Sequence, residues 1–284
     1  MSSSSASTSE GGRLVLVGTP IGNLGDLTPR AIEALAGADL VCCEDTRRTG
    51  RLLQHAGIRA TALRVVNDHT EEGAVDDVLA RLGRGERVAV VSDAGMPGIS
   101  DPGERLVTAA VGSGFVVEVV PGPSAAVTAL VASGLPAGRF AFEGFLPRKG
   151  SGRAERLAAL ADERRTVVLY EAPHRVARTL ADLAAACGAG RRVVLARELT
   201  KLHEEHWRGT LAGAIEHAAA VEPRGEYVLV LDGAEPPVAV TDDAIVAALA
   251  DARSMGATTR DAVTEVAAQL GAPKRRVYDL ATER

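Results

Sequence analysis

The chain has 284 residues, enough for about two domains at roughly 150 residues each. Hydrophobic residues at 46% and charged residues at 24% fit a folded globular protein, and aromatics at 3% speak against a single-strand nucleic-acid binder built on rows of stacked rings. With 32 Lys and Arg against 37 Asp and Glu, the net charge of -5 excludes coating of nucleic acid by bulk charge and leaves only local basic patches for such a role.

The N-terminal MSSSSASTSEGG lacks the apolar core of a signal peptide and is expected to form a disordered tail over 1–12. Three cysteines, Cys42, Cys43 and Cys187, with no C-x-x-C spacing encode neither a disulfide framework nor a zinc site, so no metal is expected and a reducing cytoplasm fits. No segment approaches 18 uncharged apolar residues, the length a membrane helix needs. From Arg13 onward, short aliphatic runs at 14–17, 39–43, 62–66, 87–91 and 115–120 are mostly uninterrupted, as strands covered on both faces read. Helical patterns separate them, with Thr28 before Pro29 and Asp101 before Pro102 as helix starts. This predicts an α/β domain over 13–134. A second α/β domain with a mixed sheet is predicted over 135–233, from strands at 140–146, 166–170, 192–198, 203–209 and 226–232, the third and fourth close enough for an antiparallel hairpin. Residues 234–240 read as a linker. Helices at 242–253, 259–270 and 274–283 form a helix-turn-helix-like domain over 241–284.

Chemistry-bearing residues gather at the predicted strand ends. GTPIGNLGD (18–26) has glycines at spacings that make no nucleotide fingerprint, and Pro20 removes an amide, so a tight strand-to-helix turn is its plain reading. SDAGMPGISDPG (92–103) and PGPSA (121–125) follow neighbouring strands at the edge where open α/β sheets bind ligands, with Ser124 placed to cap a helix. EDTRRT (44–49), YEAPHR (170–175) and RELTKLHEEHWRG (197–209) add mixed acid and base, which together suggest a polar cleft.

TPIGNLGDLT, EDTRRT, SDAGMPGISDPG, PGPSA, SGLP with GFLPRKG, YEAPHR, RELTK and RGEYVLVLDG occur in an order and spacing that resemble the ribosomal RNA small subunit methyltransferase I family, within the tetrapyrrole methylases. The resemblance covers about residues 13–233. It implies two α/β domains of the tetrapyrrole methylase type with a cleft between them, S-adenosylmethionine (SAM) as methyl donor, and a homodimer in the cytoplasm. The implied reaction is 2'-O-methylation of a cytidine in the decoding region of 16S ribosomal RNA, with the 30S subunit as partner. Implied donor contacts are Asp93, Ala94, Gly95, Pro97 and Ile99, the turn at Ser124 and Ala125, Tyr170, Gly225 and Glu226. The acceptor side is assigned to Thr19, Pro20, Asn23, Arg47, Arg148, Lys149, His174, Arg175 and Lys201. Glu44, Asp45, Glu171 and Glu198 are unranked candidates for an acceptor of the hydroxyl proton, each at a strand end in a family motif. Positive charge for RNA is sought in Arg47, Arg48 and Arg51, in RKGSGR (148–153) and in PKRR (273–276). A tetrapyrrole methyltransferase would share the fold but methylate a porphyrinoid, and a nucleic-acid-binding protein built on the C-terminal helices would not bind SAM.

Overall fold

The computed structural model describes residues 11–59, 62–67, 70–221, 223–236 and 240–282. The chain divides into two compact units, Met1–Ala234 and Glu235–Arg284. Of the expected tail, residues 1–10 lie outside the described residues, as do 237–239 of the expected linker, whereas Gly12 is buried and opens the fold.

The first sheet is parallel and built from β1 (Arg13–Val17), β2 (Leu40–Cys43), β3 (Leu63–Val65), β4 (Arg87–Val90) and β5 (Val116–Val120), in the order β3-β2-β4-β1-β5. Its inner strands β1, β2 and β4 are chiefly apolar and buried because both of their faces are covered, whereas the edge strands β3 and β5 carry Arg64 and Glu118 and are partly exposed. Val15, Val17 and Ala89 face α1 (Pro29–Ala36) through Ala31, Ala34 and Leu35. Leu14, Val88 and Val90 face α3 (Glu71–Gly83) and α4 (Glu104–Gly112) through Val78, Leu82, Leu106 and Ala110. The Thr28 hydroxyl accepts from Ala31 N ahead of Pro29, as the sequence indicates. The other expected start is displaced: α4 begins at Glu104, after Gly103 at φ +134°, and Asp101 does not cap it. Its first amides find their acceptor elsewhere. Glu71, buried at the head of α3, accepts at one oxygen from Gly103 N (3.0 Å), Arg105 N (3.0 Å) and Leu106 N (3.3 Å). Glu71→Ala leaves these donors without that partner and is expected to cost about 2–3 kcal/mol in urea unfolding. Glu71→Gln, which keeps an acceptor oxygen, should lose less; an alanine variant within about 0.5 kcal/mol of the parent contradicts the cap.

The second sheet is mixed. Strands β6 (Phe140–Phe145), β7 (Thr166–Glu171), β8 (Arg192–Arg197), β9 (Glu205–Thr210) and β10 (Tyr227–Leu231) lie in the order β6-β7-β10-β8-β9, with β6 and β7 parallel and the other pairs antiparallel. The expected hairpin is β8 with β9. One face of this sheet packs on α6 (Ser151–Asp162), α7 (Pro173–Cys187) and α8 (Leu211–Ala220) through Leu160, Val176, Leu180 and Leu211. Its other face is covered by α5 (Ala125–Ser133), which follows β5 of the first sheet, with Ala126, Ala129 and Leu130 against Val168, Val194 and Val230. Ile21, from the turn after β1, joins the same cluster, so residues of the first lobe complete the core of the second. Arg208 of β9 donates to the carbonyls of Ala132 and Ser133 at the end of α5, where a cation also complements the helix dipole.

The unit Glu235–Arg284 holds α9 (Asp242–Ser254), α10 (Thr259–Leu270) and α11 (Lys274–Thr282) around a small core that includes Ile245, Leu249, Val266 and Val277. Thr241 and Thr258 cap the first two helices, and Gly271 at φ +62° ends α10. Among the described residues no helix is long and apolar enough to cross a membrane.

Candidate active site

Three loops leave the carboxyl edge of adjacent strands β4, β1 and β5, and their backbones interlock. Gly18 and Gly122 touch so closely that a Cβ on Gly18 would lie 2.6 Å from Gly122 N. Thr19 and Gly95 exchange backbone hydrogen bonds of 2.9 and 3.2 Å, and the Thr19 hydroxyl also accepts from Gly95 N. Gly95 takes φ +89°, which a side chain would strain.

The second lobe faces these loops with the end of β7, the first turn of α7, the turn after β8 and the start of β10. Between the lobes lies a cavity of about 500 Å³, within the usual range for small-molecule sites. Of the residues assigned to the donor, Asp93, Ala94, Gly95, Ile99, Ser124, Ala125, Tyr170 and Glu226 line it. Pro97 is buried behind the loop, and Gly225 is packed against Glu198 at φ +73°. Ser124 occupies the start of α5 without a side-chain cap; the Tyr170 hydroxyl accepts from Ala126 N instead, at 3.2 Å. Burial pushes the Tyr170 phenol up, so it stays protonated.

The acceptor-side residues divide. His174 and Lys201 line the cavity. Thr19 and Pro20 are buried and do not, because the Thr19 hydroxyl is tied to the 92–95 loop. Asn23 faces solvent, where its side chain accepts from Gly25 N and its amide donates to Thr200 Oγ1, joining the two lobes. Arg47 is exposed and paired with Asp45, whereas its neighbour Arg48 lines the cavity and meets Asp93 Oδ2 at 3.3 Å. Arg148 and Lys149 are exposed outside the cavity. Arg175 is turned inward, its Nε 3.1 Å from Glu171 and its Nη2 donating to Leu146 O at 2.6 Å.

Geometry separates the four carboxylate candidates. Asp45 caps α2 (Thr46–His55) outside the cavity, and the Arg47 side chain and amide hold its carboxyl below the usual range. Glu171 is buried with its oxygens engaged by the Thr179 hydroxyl (2.6 Å), Ala172 N (2.9 Å) and Arg175. Glu171 also touches the cavity, but it is only 2% exposed and its bonds to the neighbouring helix make it a brace for α7. Glu44 and Glu198 also line the cavity and are less enclosed than Glu171, with Glu44 accepting from Asp93 N at 2.9 Å. Burial would raise the Glu198 carboxyl, but Lys201 Nζ at 2.9 Å and Glu226 N at 3.2 Å outweigh it and hold it below its ordinary value. The turn carrying Glu198 is strained, with Glu198 at φ +51° and Thr200 at +64°; Ser100, also on the wall, sits at +62°.

Sequence reasoning missed Arg48, Ser100, Asp101 and Phe145 as wall residues, and Arg153 as an interior one. Phe145 had a signal, an aromatic in a poor aromatic chain at a strand end. The Arg153 guanidinium, read as part of a basic surface, is bonded to Asp182, Thr179 and Pro147 O.

Asp93 provides a test of fit for a cationic ligand. Its Oδ1 is buried without a hydrogen-bond partner, and burial pushes its carboxyl up despite Arg48. An acidic, partly apolar pocket with an unpaired acceptor suits a sulfonium-bearing amino acid nucleoside. Among the described residues no cluster of His, Cys, Asp and Glu could hold a metal ion.

The family model of the Tetrapyrrole (Corrin/Porphyrin) Methylases matches residues 13–215. Ribosomal RNA small subunit methyltransferase I of Synechocystis sp. is 45% identical over 274 residues, 96% of this chain and 98% of that one. The protein of the same name from Mycobacterium tuberculosis strain H37Rv is 46% identical over 272 residues, 94% of each chain. Among solved structures, uroporphyrin-III C-methyl transferase from Thermus thermophilus, complexed with S-adenyl homocysteine, superposes with a TM-score of 0.56 at 21% identity over 78% of this chain and 97% of that one. That similarity shows the fold, and the full-length relatives carry it further: the chain belongs to the ribosomal RNA small subunit methyltransferase I family of tetrapyrrole methylases.

Proposed function

We propose that the chain transfers a methyl group from SAM to the 2'-hydroxyl of a cytidine in the decoding region of 16S ribosomal RNA, acting on the 30S subunit in the cytoplasm. The observation that carries this reading is end-to-end similarity to the Synechocystis relative, together with the cavity in which the family's motifs converge. When bound, SAM supplies a methyl group on a sulfonium leaving group. The Asp93–Ile99 loop, Ser124, Ala125 and Tyr170 are placed to hold it, with Asp93 Oδ1 as an acceptor for one of its donors. The residues need chiefly to align donor and hydroxyl and to exclude water, which alone contributes several kcal/mol to such transfers. Glu44 and Glu198 are the wall carboxylates from the candidate set that can accept a hydrogen bond from the ribose hydroxyl; Lys201 and His174 stand beside them for the acceptor. Arg47, Arg51, Arg148 and Lys149, exposed outside the cavity, are assigned to phosphates.

The reading includes a homodimer. Val116 and Val119 on the edge strand β5 and Val127 and Val131 on α5 are exposed, and an apolar sheet edge of this kind favours a covering partner.

The test is methyl transfer from labelled SAM to 30S subunits of a strain deleted for the corresponding gene, followed by mass spectrometry of the ribosomal RNA nucleosides. One new 2'-O-methylcytidine per subunit is expected. Label on a base, or transfer to a porphyrinoid and not to subunits, overturns the assignment.

A further inference from the structure

Building on that proposed function, the cavity constrains the form in which RNA is bound. It lies between the two lobes, with a volume suited to small molecules, and an RNA helix is far wider than such a space. Its wall carries Glu44, Asp93, Asp101, Glu171, Glu198 and Glu226 against Arg48 and Lys201. This balance repels a phosphodiester and favours a neutral nucleoside beside a cationic donor. The cations suited to phosphates, such as Arg148 and Lys149, stand outside it.

The wall and its neighbouring loops also expose large apolar side chains. Phe145 and Ile99 line the cavity while remaining 49% and 46% exposed. The Phe145 ring is fixed edge-on to Tyr170, with centroids 5.6 Å apart, and Tyr170 is held in turn by Phe142 and by Ala126 N. Leu202 is 92% exposed between Lys201 and His203. A leucine on a slack loop could fold back onto the protein, but this turn is fastened. Thr200 N donates to Glu204 at 2.6 Å, Lys201 N to Glu198 O at 3.0 Å, Glu204 N to Lys201 O at 3.2 Å and Asn23 N to Thr200 Oγ1 at 3.0 Å.

We propose that the target nucleotide enters the cavity extruded from its helix, with its base stacked on Phe145, while Leu202 acts as an apolar wedge against the bases it leaves behind. Aromatic stacking and apolar insertion are two means by which proteins hold bases out of a stack, and a flipped nucleotide brings its ribose within reach of an enclosed site. The phosphates stay outside with the exposed cations.

The test uses the full chain and 30S subunits lacking the methyl mark, with steady-state methylation, calorimetric SAM binding and light scattering in parallel. Phe145→Ala and Leu202→Ala are each expected to lower kcat/KM for subunits about tenfold or more, with SAM affinity and molecular mass unchanged. Phe145→Trp should restore most of the activity, because any flat ring can stack. Leu202 packs on little in the free protein, so a loss of activity there cannot come from a damaged core. Activity of both alanine variants within twofold of the parent overturns the proposal, as does parallel loss of SAM affinity in Phe145→Ala or a change of mass in Leu202→Ala. If the parent chain methylates no ribosomal RNA, the proposed function itself fails, a result distinct from failure of the wedge.

Discussion

Replacing Gly95 by valine is expected to lower SAM affinity by well over tenfold in a protein that still folds. Gly95 stands at φ +89°, where a residue with a Cβ costs roughly 1–2 kcal/mol and a branched one more. A Cβ there would already lie 3.3 Å from Ile21 Cγ2 and 3.4 Å from Pro123 O, and valine places two methyl groups beyond it. The backbone cannot easily give way, because Gly95 N and O are both bonded to Thr19 and the neighbouring loops are locked by the close approach of Gly18 to Gly122. Relief must come from moving the loop that carries Asp93, Ala94 and Met96 in the cavity wall. Each 1.4 kcal/mol of binding free energy is about tenfold in affinity. Calorimetry with SAM measures the effect, with circular dichroism as a check on folding. Unchanged affinity in the folded variant removes this loop from the donor site.

Why this loop could be singled out from sequence, while other details could not, follows from the range of the interactions involved. Strands β1, β2, β4 and β10 are plain aliphatic runs because both faces of each sheet are covered, and a loop following such a run must emerge at a sheet edge. The emergence of 92–103 and 121–125 at one sheet edge was therefore legible, although their strands are not the neighbours that the sequence suggests, because β1 lies between β4 and β5. What was not legible rests on partners distant along the chain. Glu71, 32 residues before Gly103, caps a helix that a local reading gives to Asp101, and Tyr170 replaces Ser124 as the cap of α5 from 44 residues away. The choice between Arg47 and Arg48 depends on the phase of α2, whose polar segment TRRTGR contains too few apolar residues to set it. Thr19 is assigned to the acceptor side by family resemblance alone, and its hydroxyl instead satisfies the adjoining loop. Charge patterning alone likewise cannot separate Arg148 from Arg153, five residues apart with opposite burial.

That last contrast gives the largest expected effect on stability. Arg153 is 4% exposed on α6, with Nε 2.8 Å and Nη2 2.7 Å from Asp182 Oδ2, Nη1 donating to Pro147 O at 2.9 Å and Nη2 to Thr179 Oγ1 at 3.0 Å. The Thr179 hydroxyl donates in turn to Glu171, so the guanidinium anchors a chain of hydrogen bonds that runs from the 146–150 loop to the end of β7 beside the cavity. Arg153→Ala removes the buried partner of Asp182, which is itself 32% exposed, and leaves the Pro147 carbonyl and the Thr179–Glu171 pair short of a donor; a loss of about 3 kcal/mol is expected, the low end for breaking a buried pair. Urea unfolding is expected to show that loss in the transition of the unit Met1–Ala234, which carries α6. Arg148→Ala with Lys149→Ala, both exposed, should stay within about 0.5 kcal/mol of the parent but flatten the dependence of subunit binding on salt, by about 0.7–0.9 in log–log slope for each phosphate no longer neutralised. The two variants thus divide one basic segment into an interior brace and an RNA-facing pair. An Arg153→Ala protein as stable as the parent refutes the brace, and an unaltered salt slope in the double variant returns Arg148 and Lys149 to bulk solvent.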